Sequence, residues 1–577
     1  MKQLALLLLL TVCAPVGAIE IAGRDQHGVE FNPAVCAEDR FTVVAFLNAG
    51  CPLGRFYANR LNELQDKYPD VCFVGVNANE GDTYEDWAEF GKRLRFPMVK
   101  DGIAADQLGA TRSPEVFLLD HHKVIYQGAI DDQYMPGIHS RSATRHYLDE
   151  ALTEAVNGQP VSIPKTEASG CRIERPKKVK PGPVTYSDVA PIFYRRCAEC
   201  HRPGQSASFS LLSYRDAAGW SETIRDVLLE KRMPPWGADP RYGHFANDRS
   251  LTVEERRLIF EWLDAECPQG DPALQPTPPK FASGWTIKPD LVLEAPKFTV
   301  PKEGLLDYQE YTLTLGHGSD IWIKAAEVMP GNRAVVHHAG LRIVPPNAEP
   351  GRYYFQKDFS DDFLAMYIPG NTSMTLPPGF AKRIPAGWNI VLSIHYVPTG
   401  EETDDQTSVG FTLTDKPAFQ IATQCLAPEP FELQPGEVRT VVQERVIDRE
   451  FLLMALYPHM HLRGKSMLFE ATYPDGKHEV LLNVPDYDFE WQHRYVLAKP
   501  KVLPIGTTLR CTAVYDNSAA NKRNPDATAL VKAGERTEDE MFLGIFEFAQ
   551  PLPQTRSSVL AYVGVAIAVL FLIWRKR

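Results

Sequence analysis

The sequence predicts a multidomain protein in which an α/β domain, a small all-α domain and two all-β domains follow one another along the chain. The chain has 577 residues and 44% hydrophobic content, enough for several cores and for about four domains. Hydrophobic residues first alternate between strand-like and helix-like runs, then follow a helical period, and finally alternate strictly in the C-terminal half. The expected domains are 19–160, 183–270, 289–415 and 416–550, separated by proline-containing linkers at 161–182 and 271–288.

The first 18 residues have the composition of a secretory signal peptide. A lysine at position 2 precedes the apolar run LALLLLL, and the small residues of APVGA follow it. This order predicts cleavage after Ala18 and export of the mature chain.

The hydrophobic pattern of the first domain predicts a strand (FTVVAFLN), a helix, a strand (VCFVGVNA), a helix and a terminal hairpin. This order, with Cys51 in the turn AGCPLG, resembles the thioredoxin-like or redoxin fold. The resemblance implies a reactive thiol at Cys51, where a helix N-terminus lowers the thiol pKa, and a cis-proline at Pro114 beside it.

Two departures from that family bear on the activity of Cys51. A disulfide oxidoreductase has a second cysteine where this chain has Gly54, and a peroxiredoxin has a threonine where this chain has Asn48. Cys36 or Cys72 is a candidate resolving thiol, although the apolar strand around Cys72 favours a buried core residue. A redox-active thiol and a docking or structural module both stay open.

The second domain contains CAECH, in which Cys197 and Cys200 are spaced for thioethers to a haem and His201 follows as the proximal iron ligand. A helix is predicted before the motif, and a capping box at Thr252 opens an amphipathic helix after it. Met233, in the proline-stiffened loop KRMPPWG, is the candidate second axial ligand. The domain resembles class I cytochromes c.

The C-terminal half contains five histidines and a methionine in local contexts that suit metal binding. Soft and borderline ligands of this kind favour copper over magnesium or calcium. The pair in PHMH lies two residues apart in a predicted strand, so both side chains share a face, whereas the pair in VHHA is adjacent and needs a bulge or an edge position. The residues are His337, His338, His395, His459, His461 and Met541.

The order of these motifs resembles the copper type II, ascorbate-dependent monooxygenases, the family of peptidylglycine α-hydroxylating and dopamine β-monooxygenases. The resemblance spans a little under half of the chain and implies tandem jelly-roll domains. It assigns His337, His338 and His395 to an electron-transfer copper, and assigns the remaining three residues, which are His459, His461 and Met541, to the copper that binds dioxygen.

The same resemblance implies hydroxylation of a C–H bond, with two copper ions and dioxygen taking part. Peptide-processing members carry an arginine two positions before the HxH motif to hold a substrate carboxylate, whereas this chain has Tyr457. This difference argues against a peptidylglycine substrate and leaves the substrate, small molecule or peptide, open.

Cysteine usage agrees with export, since disulfides and covalent haem belong outside the cytoplasm. Two cysteines bracket the haem domain and two lie in the last β-domain. The expected disulfides are Cys171–Cys267 and Cys425–Cys511.

The C-terminal apolar stretch, Val559–Trp574, ends in three basic residues. A transmembrane helix over 557–574 would leave the basic terminus in the cytoplasm and hold the body at the extracytoplasmic, periplasmic face of the membrane. A sorting tail that is removed after export is the alternative.

Together these features predict a copper-dependent monooxygenase supplied with electrons through its fused c-type haem. Ascorbate is a candidate reductant, and an electron-donor protein is a candidate partner. Two other functions stay open: a haem and copper protein for electron transfer or copper handling, and a thiol-disulfide redoxin with accessory metal domains. The net charge of −12 argues against nucleic acid as a partner.

Overall fold

The computed structural model forms two compact units. One comprises residues up to 180 together with 215–225, and the other comprises 181–214 and the chain from 226 onward. The described residues are 21–31, 36, 41–121, 123–135, 138–139, 142–175, 182–282, 284–304, 306–346, 363–370, 373–534 and 536–552.

Helices in the described residues are α1 (Pro52–Lys67), α2 (Tyr84–Gly91), α3 (Gly102–Leu108), α4 (Tyr147–Val156), α5 (Tyr186–Arg196), α6 (Tyr214–Ala218), α7 (Ser221–Leu229) and α8 (Val253–Asp264). Strands of the first unit are β1 (Phe41–Phe46), β2 (Val71–Asn77), β3 (Met98–Lys100), β4 (Arg112–Ser113), β5 (Glu115–Asp120), β6 (Lys123–Gly128), β7 (Tyr134–Met135), β8 (Ile138–His139) and β9 (Cys171–Arg172).

Strands β10 to β20 of the second unit are β10 (Leu291–Glu294), β11 (Phe298–Val300), β12 (Gln309–Leu313), β13 (Ile321–Met329), β14 (Val336–Val344), β15 (Phe363–Tyr367), β16 (Ser373–Thr375), β17 (Phe380–Ile384), β18 (Asn389–Tyr396), β19 (Thr403–Asp405) and β20 (Ser408–Thr414). The remaining strands are β21 (Phe419–Leu426), β22 (Glu432–Leu433), β23 (Val438–Val446), β24 (Phe451–His459), β25 (Gly464–Thr472), β26 (His478–Val484), β27 (Tyr495–Leu503), β28 (Thr508–Asp516), β29 (Val531–Lys532) and β30 (Leu543–Pro551).

The first unit has a thioredoxin-like fold on a five-stranded sheet in the order β3-β2-β1-β5-β6. Strand β2 runs parallel to both β1 and β3, whereas β5 runs antiparallel to β1 and β6. Strands β1 and β2 are hydrophobic along most of their length because an apolar core lies on each face of the sheet. The predicted order of strands and helices and the terminal hairpin are confirmed.

The first unit extends further along the chain than the sequence predicted. Strand β9 pairs with β4 and places Cys171 opposite Ser113, and Lys165 forms a bridge to β6. The side chain of Ile173 is buried in the core of this unit. The prediction of a linker over 161–182 is therefore wrong for residues 165–173, which strand pairing and apolar burial hold in the first unit.

A segment of the predicted haem-binding domain also belongs to the first unit. Residues 215–225 pack there, so 183–270 is not one compact body. A Cβ atom at Gly81 would come within 2.7 Å of the carbonyl oxygen of Gly219, an approach that glycine permits. Glu174 accepts hydrogen bonds of 3.2 Å from two backbone N–H groups of α7.

The described residues contain one disulfide, between Cys36 and Cys72. The two cysteines considered as resolving partners for Cys51 are thus bonded to each other. Connectivity depends on which strands pair, which cysteine spacing does not reveal. Two predicted disulfides, Cys171–Cys267 and Cys425–Cys511, are wrong because all four cysteines are thiols in this structure.

The second unit is largely all-β. A nine-stranded sheet has the order β10-β20-β13-β17-β21-β30-β24-β27, with β16 paired to β13, and the parallel pairing of β17 with β21 connects its two halves. Four-stranded sheets of order β12-β18-β14-β15 and β23-β28-β25-β26 complete two apolar cores. One core is drawn mainly from residues 289–415 and the other mainly from residues 416–550.

Helices α5 and α8 of the second unit pack against each other. The rings of Phe193 and Trp262 meet edge to face with centroids 5.8 Å apart. The predicted capping box is present, since Thr252 and Glu255 exchange side-chain and backbone hydrogen bonds at the start of α8.

No helix within the described ranges has both the length and the apolar content that a membrane crossing requires. The predicted signal peptide, 1–18, and the predicted membrane segment, 557–574, lie outside those ranges.

Candidate metal centres and thiol site

Three of the predicted copper ligands converge in the second unit. His337 and His338 lie on β14 and His395 lies on β18, directly opposite His338. One ligand atom from each residue lies within 4.8 Å of the others. The register of the two strands shifts between Val336 and His338, so the irregularity falls at His337. This irregularity lets adjacent histidines face one point, which a regular strand would not allow.

The two adjacent histidines each use one ring nitrogen inside the cluster and one outside it. The Nδ1 atoms of His337 and His338 face each other at 3.0 Å. Nε2 of His337 lies 2.8 Å from a carboxylate oxygen of Glu490, and Nε2 of His338 lies 2.5 Å from the hydroxyl oxygen of Tyr308. Metal-binding imidazoles ordinarily give their second nitrogen to such an outer partner. The arrangement therefore fits a metal ion on the Nδ1 side.

The two adjacent histidines of this cluster have pKa values shifted in opposite directions. Burial and the neighbouring His395 and His337 lower the pKa of His338 well below its ordinary value. Burial also lowers the pKa of His337, but the carboxylate of Glu490 outweighs it and raises that pKa overall. Three imidazole nitrogens form a ligand set that suits copper, zinc, iron or nickel, and copper is the metal that the sequence predicts.

The second pair of histidines lies at the end of β24, with ring centroids 5.3 Å apart. Nδ1 of His459 lies 2.7 Å from the side-chain oxygen of Gln492, whose amide nitrogen donates to the carbonyl of Phe489. Nδ1 of His461 lies 3.1 Å from the carbonyl oxygen of Asp539. Because both partners are acceptors, each Nδ1 carries the proton and each Nε2 keeps its lone pair for a ligand.

Burial makes this pair neutral over the physiological pH range. It lowers the pKa of His459 to about 4, and together with the charge of His459 it lowers the pKa of His461 to about 3. Two neutral imidazoles with the same nitrogen available form one side of a metal site.

Met541 is tied to the second pair through a buried carboxylate. One oxygen of Glu540 accepts hydrogen bonds from the backbone N–H groups of His461, at 3.0 Å, and Met541, at 3.1 Å. Burial raises the pKa of Glu540 to about 7, although backbone donors oppose the shift. In the strand pairing His459 opposes Leu543, and Leu543 packs in one buried cluster with Met541. The predicted sulfur ligand therefore lies near the strand end that carries His459.

A short segment that the sequence patterns did not identify contacts both histidine sets. The ring of Phe489 is 5.8 Å from that of His338 and 5.7 Å from that of His461. Glu490 and Gln492, which follow it, each contact one histidine of a different set. The sequence DFEWQH has no metal-ligand spacing, so no local signal identified it.

The CAECH motif follows α5 and folds into a turn. The N–H groups of Cys200 and His201 donate to the carbonyl of Cys197 at 3.1 and 2.9 Å. Burial raises the pKa of Cys197 to about 12 and lowers the pKa of His201 to about 4. Within the described chain, Nδ1 of His201 is buried with no hydrogen-bond partner. Two protonated thiols and a neutral imidazole fit a covalently attached haem.

The CAECH motif lies against the turn that follows β15 in the same unit. A Cβ atom at Gly370 would come within 2.8 Å of the sulfur of Cys200. The guanidinium of Arg249 donates to the carbonyl of Gly370 and lies 3.5 Å from a carboxylate oxygen of Glu199. Gly370 follows β15, which pairs with the strand of His337 and His338.

Met233 lies in the loop after α7, where its N–H donates to the carbonyl of Val227 at 3.3 Å. Three residues later, the ring of Trp236 packs 4.8 Å from that of Tyr495 and 5.6 Å from that of His493. The loop therefore packs against the start of β27. Ligation of a haem iron by Met233 stays a prediction.

Cys51 precedes α1 and is fully buried. Its thiol donates to the carbonyl of Ser113 at 3.0 Å. Burial raises the thiol pKa, but hydrogen bonds from the side chain and backbone of Cys171, and from two N–H groups of α1, lower the pKa of Cys51 to about 7. The Ser113–Pro114 peptide bond is cis, as the resemblance implied. Sequence analysis assigned Cys171 to a disulfide elsewhere and missed this neighbour.

Several solved structures resemble part of this chain. A hypothetical protein from Sinorhizobium meliloti 1021 is 25% identical over 27% of this chain and 92% of its own, with a TM-score of 0.25. A secreted disulfide oxidoreductase from Mycobacterium tuberculosis is 18% identical over 18% of this chain and 79% of its own, with a TM-score of 0.17. A thiol-disulfide oxidoreductase from Bacteroides fragilis NCTC 9343 is 19% identical over 19% of this chain and 88% of its own, also with a TM-score of 0.17. No protein-family profile and no curated protein matches the chain.

Proposed function

We propose that this protein is an exported, membrane-anchored, copper-dependent monooxygenase that hydroxylates a C–H bond with dioxygen and receives electrons through its own c-type haem domain. The observation that carries the proposal is the presence, in one unit, of two histidine sets that both contact the ring of Phe489. One set gathers three imidazoles and the other gathers two imidazoles and a nearby thioether.

The two sets present different ring nitrogens, which supports two distinct copper sites. In the first, Nδ1 atoms of His337 and His338 face inward while Glu490 holds one outer nitrogen. In the second, Gln492 holds Nδ1 of His459, so that Nε2 is left for the metal. When bound, the copper ions would supply one-electron redox chemistry and dioxygen binding. The chain's own residues fix the orientation of each imidazole ring, so that its free nitrogen faces the metal position.

The surroundings of Met541 favour an apolar part of a substrate at the second site. Its side chain lies in one buried apolar cluster with Tyr457, Leu543 and Ile545. The arginine that would hold a substrate carboxylate is replaced by Tyr457, and the nearby Arg494 is already paired with a buried carboxylate. An apolar small molecule therefore fits this surface better than a peptide C-terminus.

The position of the CAECH motif supports an electron path within the chain. Cys197 and Cys200 would hold the haem through thioethers, His201 would be its proximal ligand and Met233 its second axial ligand. The sulfur of Cys200 lies against Gly370, beside the sheet that carries the first histidine set. A one-electron carrier at this position would be close to the copper site that stores the second electron.

An oxidising compartment is consistent with the Cys36–Cys72 disulfide. The signal peptide and C-terminal apolar segment support localisation on the extracytoplasmic face of the membrane.

The deciding experiment is anaerobic reduction of the purified, copper-loaded protein followed by stopped-flow mixing with dioxygen, with haem absorbance and copper EPR recorded together. The proposal expects haem and both copper signals to reoxidise in a connected sequence. In Met541→Ala, copper reoxidation should slow at least tenfold while haem content is unchanged; Met329→Ala, a half-buried methionine on β13, is the matched control. The proposal would be overturned if haem were reduced and reoxidised while the copper EPR signal did not change.

A second candidate is an electron-transfer or copper-handling protein without a substrate. The replacement of the carboxylate-binding arginine by Tyr457 is the observation that favours it. Dioxygen consumption by the reduced protein separates the two functions, because only the monooxygenase couples dioxygen uptake to a hydroxylated product in a substrate screen.

A further inference from the structure

The thioredoxin-like unit brings a second cysteine to Cys51 from a distant part of the chain. Cys171 donates hydrogen bonds to the sulfur of Cys51 from both its thiol and its backbone N–H. The thiol of Cys51 in turn donates to Ser113, the residue opposite Cys171 in the β4–β9 pair. The two sulfur atoms are therefore hydrogen-bonded neighbours.

Strand β9 is fixed at this distance by its backbone. A Cβ atom at Gly170 would fall 1.9 Å from the carbonyl oxygen of Ser113, so only glycine allows the strands to approach this closely. Arg112 donates to the carbonyl of Gly170 at 2.9 Å, and the side chain of Asn48 donates to the carbonyl of Arg172 at 3.4 Å. Contacts on both sides of Cys171 thus hold it against the Cys51 turn.

We propose that Cys51 and Cys171 are a redox-active dithiol that closes to a disulfide as it reduces a disulfide substrate. The pair replaces the CxxC arrangement that Gly54 rules out. This inference is independent of the proposed monooxygenase activity, since it uses only residues of the first unit.

The reaction balances as a thiol-disulfide exchange. The thiolate of one cysteine attacks the substrate disulfide, forming a mixed disulfide and releasing one substrate thiolate. The other cysteine, as a thiolate, then attacks the protein sulfur, forming the Cys51–Cys171 bond and releasing the second thiolate. The two protons of the cysteine thiols leave with the two substrate thiols. The substrate gains two electrons, and the protein loses two.

The ionisation of Cys51 suits this role. With its pKa at about 7, roughly half of this thiol is ionised at pH 7, whereas an ordinary cysteine is only a few per cent ionised. Cys171 is half-buried, while Cys51 is fully buried, so the pair is reached from the Cys171 side. Neither Cys36 nor Cys72 competes as a partner, because they form a disulfide with each other.

The test equilibrates the reduced full-length chain with glutathione buffers in which the ratio of disulfide to thiol varies over about a thousandfold. Remaining thiols are then alkylated, and disulfide-linked peptides are identified by mass spectrometry. The proposal expects a Cys51–Cys171 peptide pair that appears and disappears reversibly, with two glutathione thiols released per chain. Each single variant, Cys51→Ser or Cys171→Ser, should release no more than one and form no intramolecular bond at this site.

A wild-type chain in which both cysteines stay alkylatable at every ratio would overturn the proposal, and so would a bond from Cys51 to any other cysteine. The peptide map of the wild-type chain decides this without a variant, so a folding defect in either serine variant leaves the test intact. Cys425→Ser, which removes a buried thiol from the other unit, should leave the two-thiol release unchanged.

Discussion

The backbone N–H groups of His461 and Met541 donate to the same carboxylate oxygen of Glu540. Two proposed ligands of one metal site, far apart in the chain, are therefore positioned by a single buried side chain. The carboxylate acts on the backbone of both ligands, so it can set their separation without itself binding the metal.

Replacing this carboxylate should weaken the second copper site alone. Glu540→Gln leaves one side-chain oxygen, which cannot accept from the Arg463 N–H group and from the His461 and Met541 N–H groups together. We expect copper affinity at that site to fall about 10- to 100-fold. Competition with a copper chelator, with EPR resolving the two sites, measures the change. Glu479→Gln, whose carboxylate pairs with Lys501 and Tyr473, is the matched control. An equal loss at both sites would contradict the assignment.

The outer partner of His338 should tune the first site. Tyr308→Phe removes the hydroxyl 2.5 Å from Nε2 of His338, so the ring loses its orienting contact. We expect copper affinity at the first site to fall about tenfold while the second is unchanged. Tyr473→Phe removes a hydroxyl that contacts Glu479 instead and should have no effect on either site. A change confined to the second site would show that the two sets are wrongly divided.

A buried ion triad should stabilise the second unit. Glu547 on β30 pairs with Lys382 on β17 and with Arg494, whose Nη2 lies 2.5 Å away. Removing one charge from a buried pair leaves its partner uncompensated, so Glu547→Gln should cost about 3–5 kcal/mol of unfolding free energy. Urea unfolding at pH 7 measures it, and Glu432→Gln, from an exposed pair, should cost less than about 1 kcal/mol.

The same triad predicts a pH dependence. Burial raises the pKa of Glu547, but Arg494 and Lys382 lower it to about 2. Because the folded pKa lies below the unfolded value of about 4.3, the stabilisation is complete above that value and is lost as pH falls through about 2. The difference in stability between wild type and Glu547→Gln should therefore shrink in acid. A constant difference from pH 7 to 3 would contradict it.

Covalent attachment of haem and axial ligation of its iron should depend on different residues. Cys197→Ser should prevent one thioether, so that haem is lost from the denatured chain or held through Cys200 alone. Met233→Ala should keep covalent haem but change the spin state of the iron, visible in its absorbance and EPR spectra. Met329→Ala is the control, and an unchanged spin state in Met233→Ala would remove Met233 from the ligand set.

The order of elements in the thioredoxin-like domain followed from the sequence because each depends on neighbouring residues. The run FTVVAF is apolar on both faces and forms a buried central strand, and the capping box at Thr252 begins α8 as expected. The requirement for an irregularity at the adjacent histidines could also be stated in advance, and β14 has one at His337.

The predictions that are wrong concern contacts between residues far apart in the chain. The predicted Cys171–Cys267 disulfide is wrong because strand β9 pairs with β4 and carries Cys171 to Cys51. The same pairing holds Cys171 and Arg172 in the first unit, where the sequence predicts a linker. Two-residue strands such as β9 have no periodicity of their own, so their pairing cannot be read from a local pattern.

The sequence by itself determined which candidate side chains are present: a CxxCH motif, five histidines and a methionine that could bind metal, and a cysteine before a helix. The tertiary structure decided which ring nitrogens of His337 and His459 meet an outer partner, that Phe489 contacts both sets, and which cysteine meets Cys51. The physical reason is that side-chain chemistry and local periodicity belong to short segments. Ring orientation and sulfur contacts arise from strand register and packing between segments that are distant in the chain.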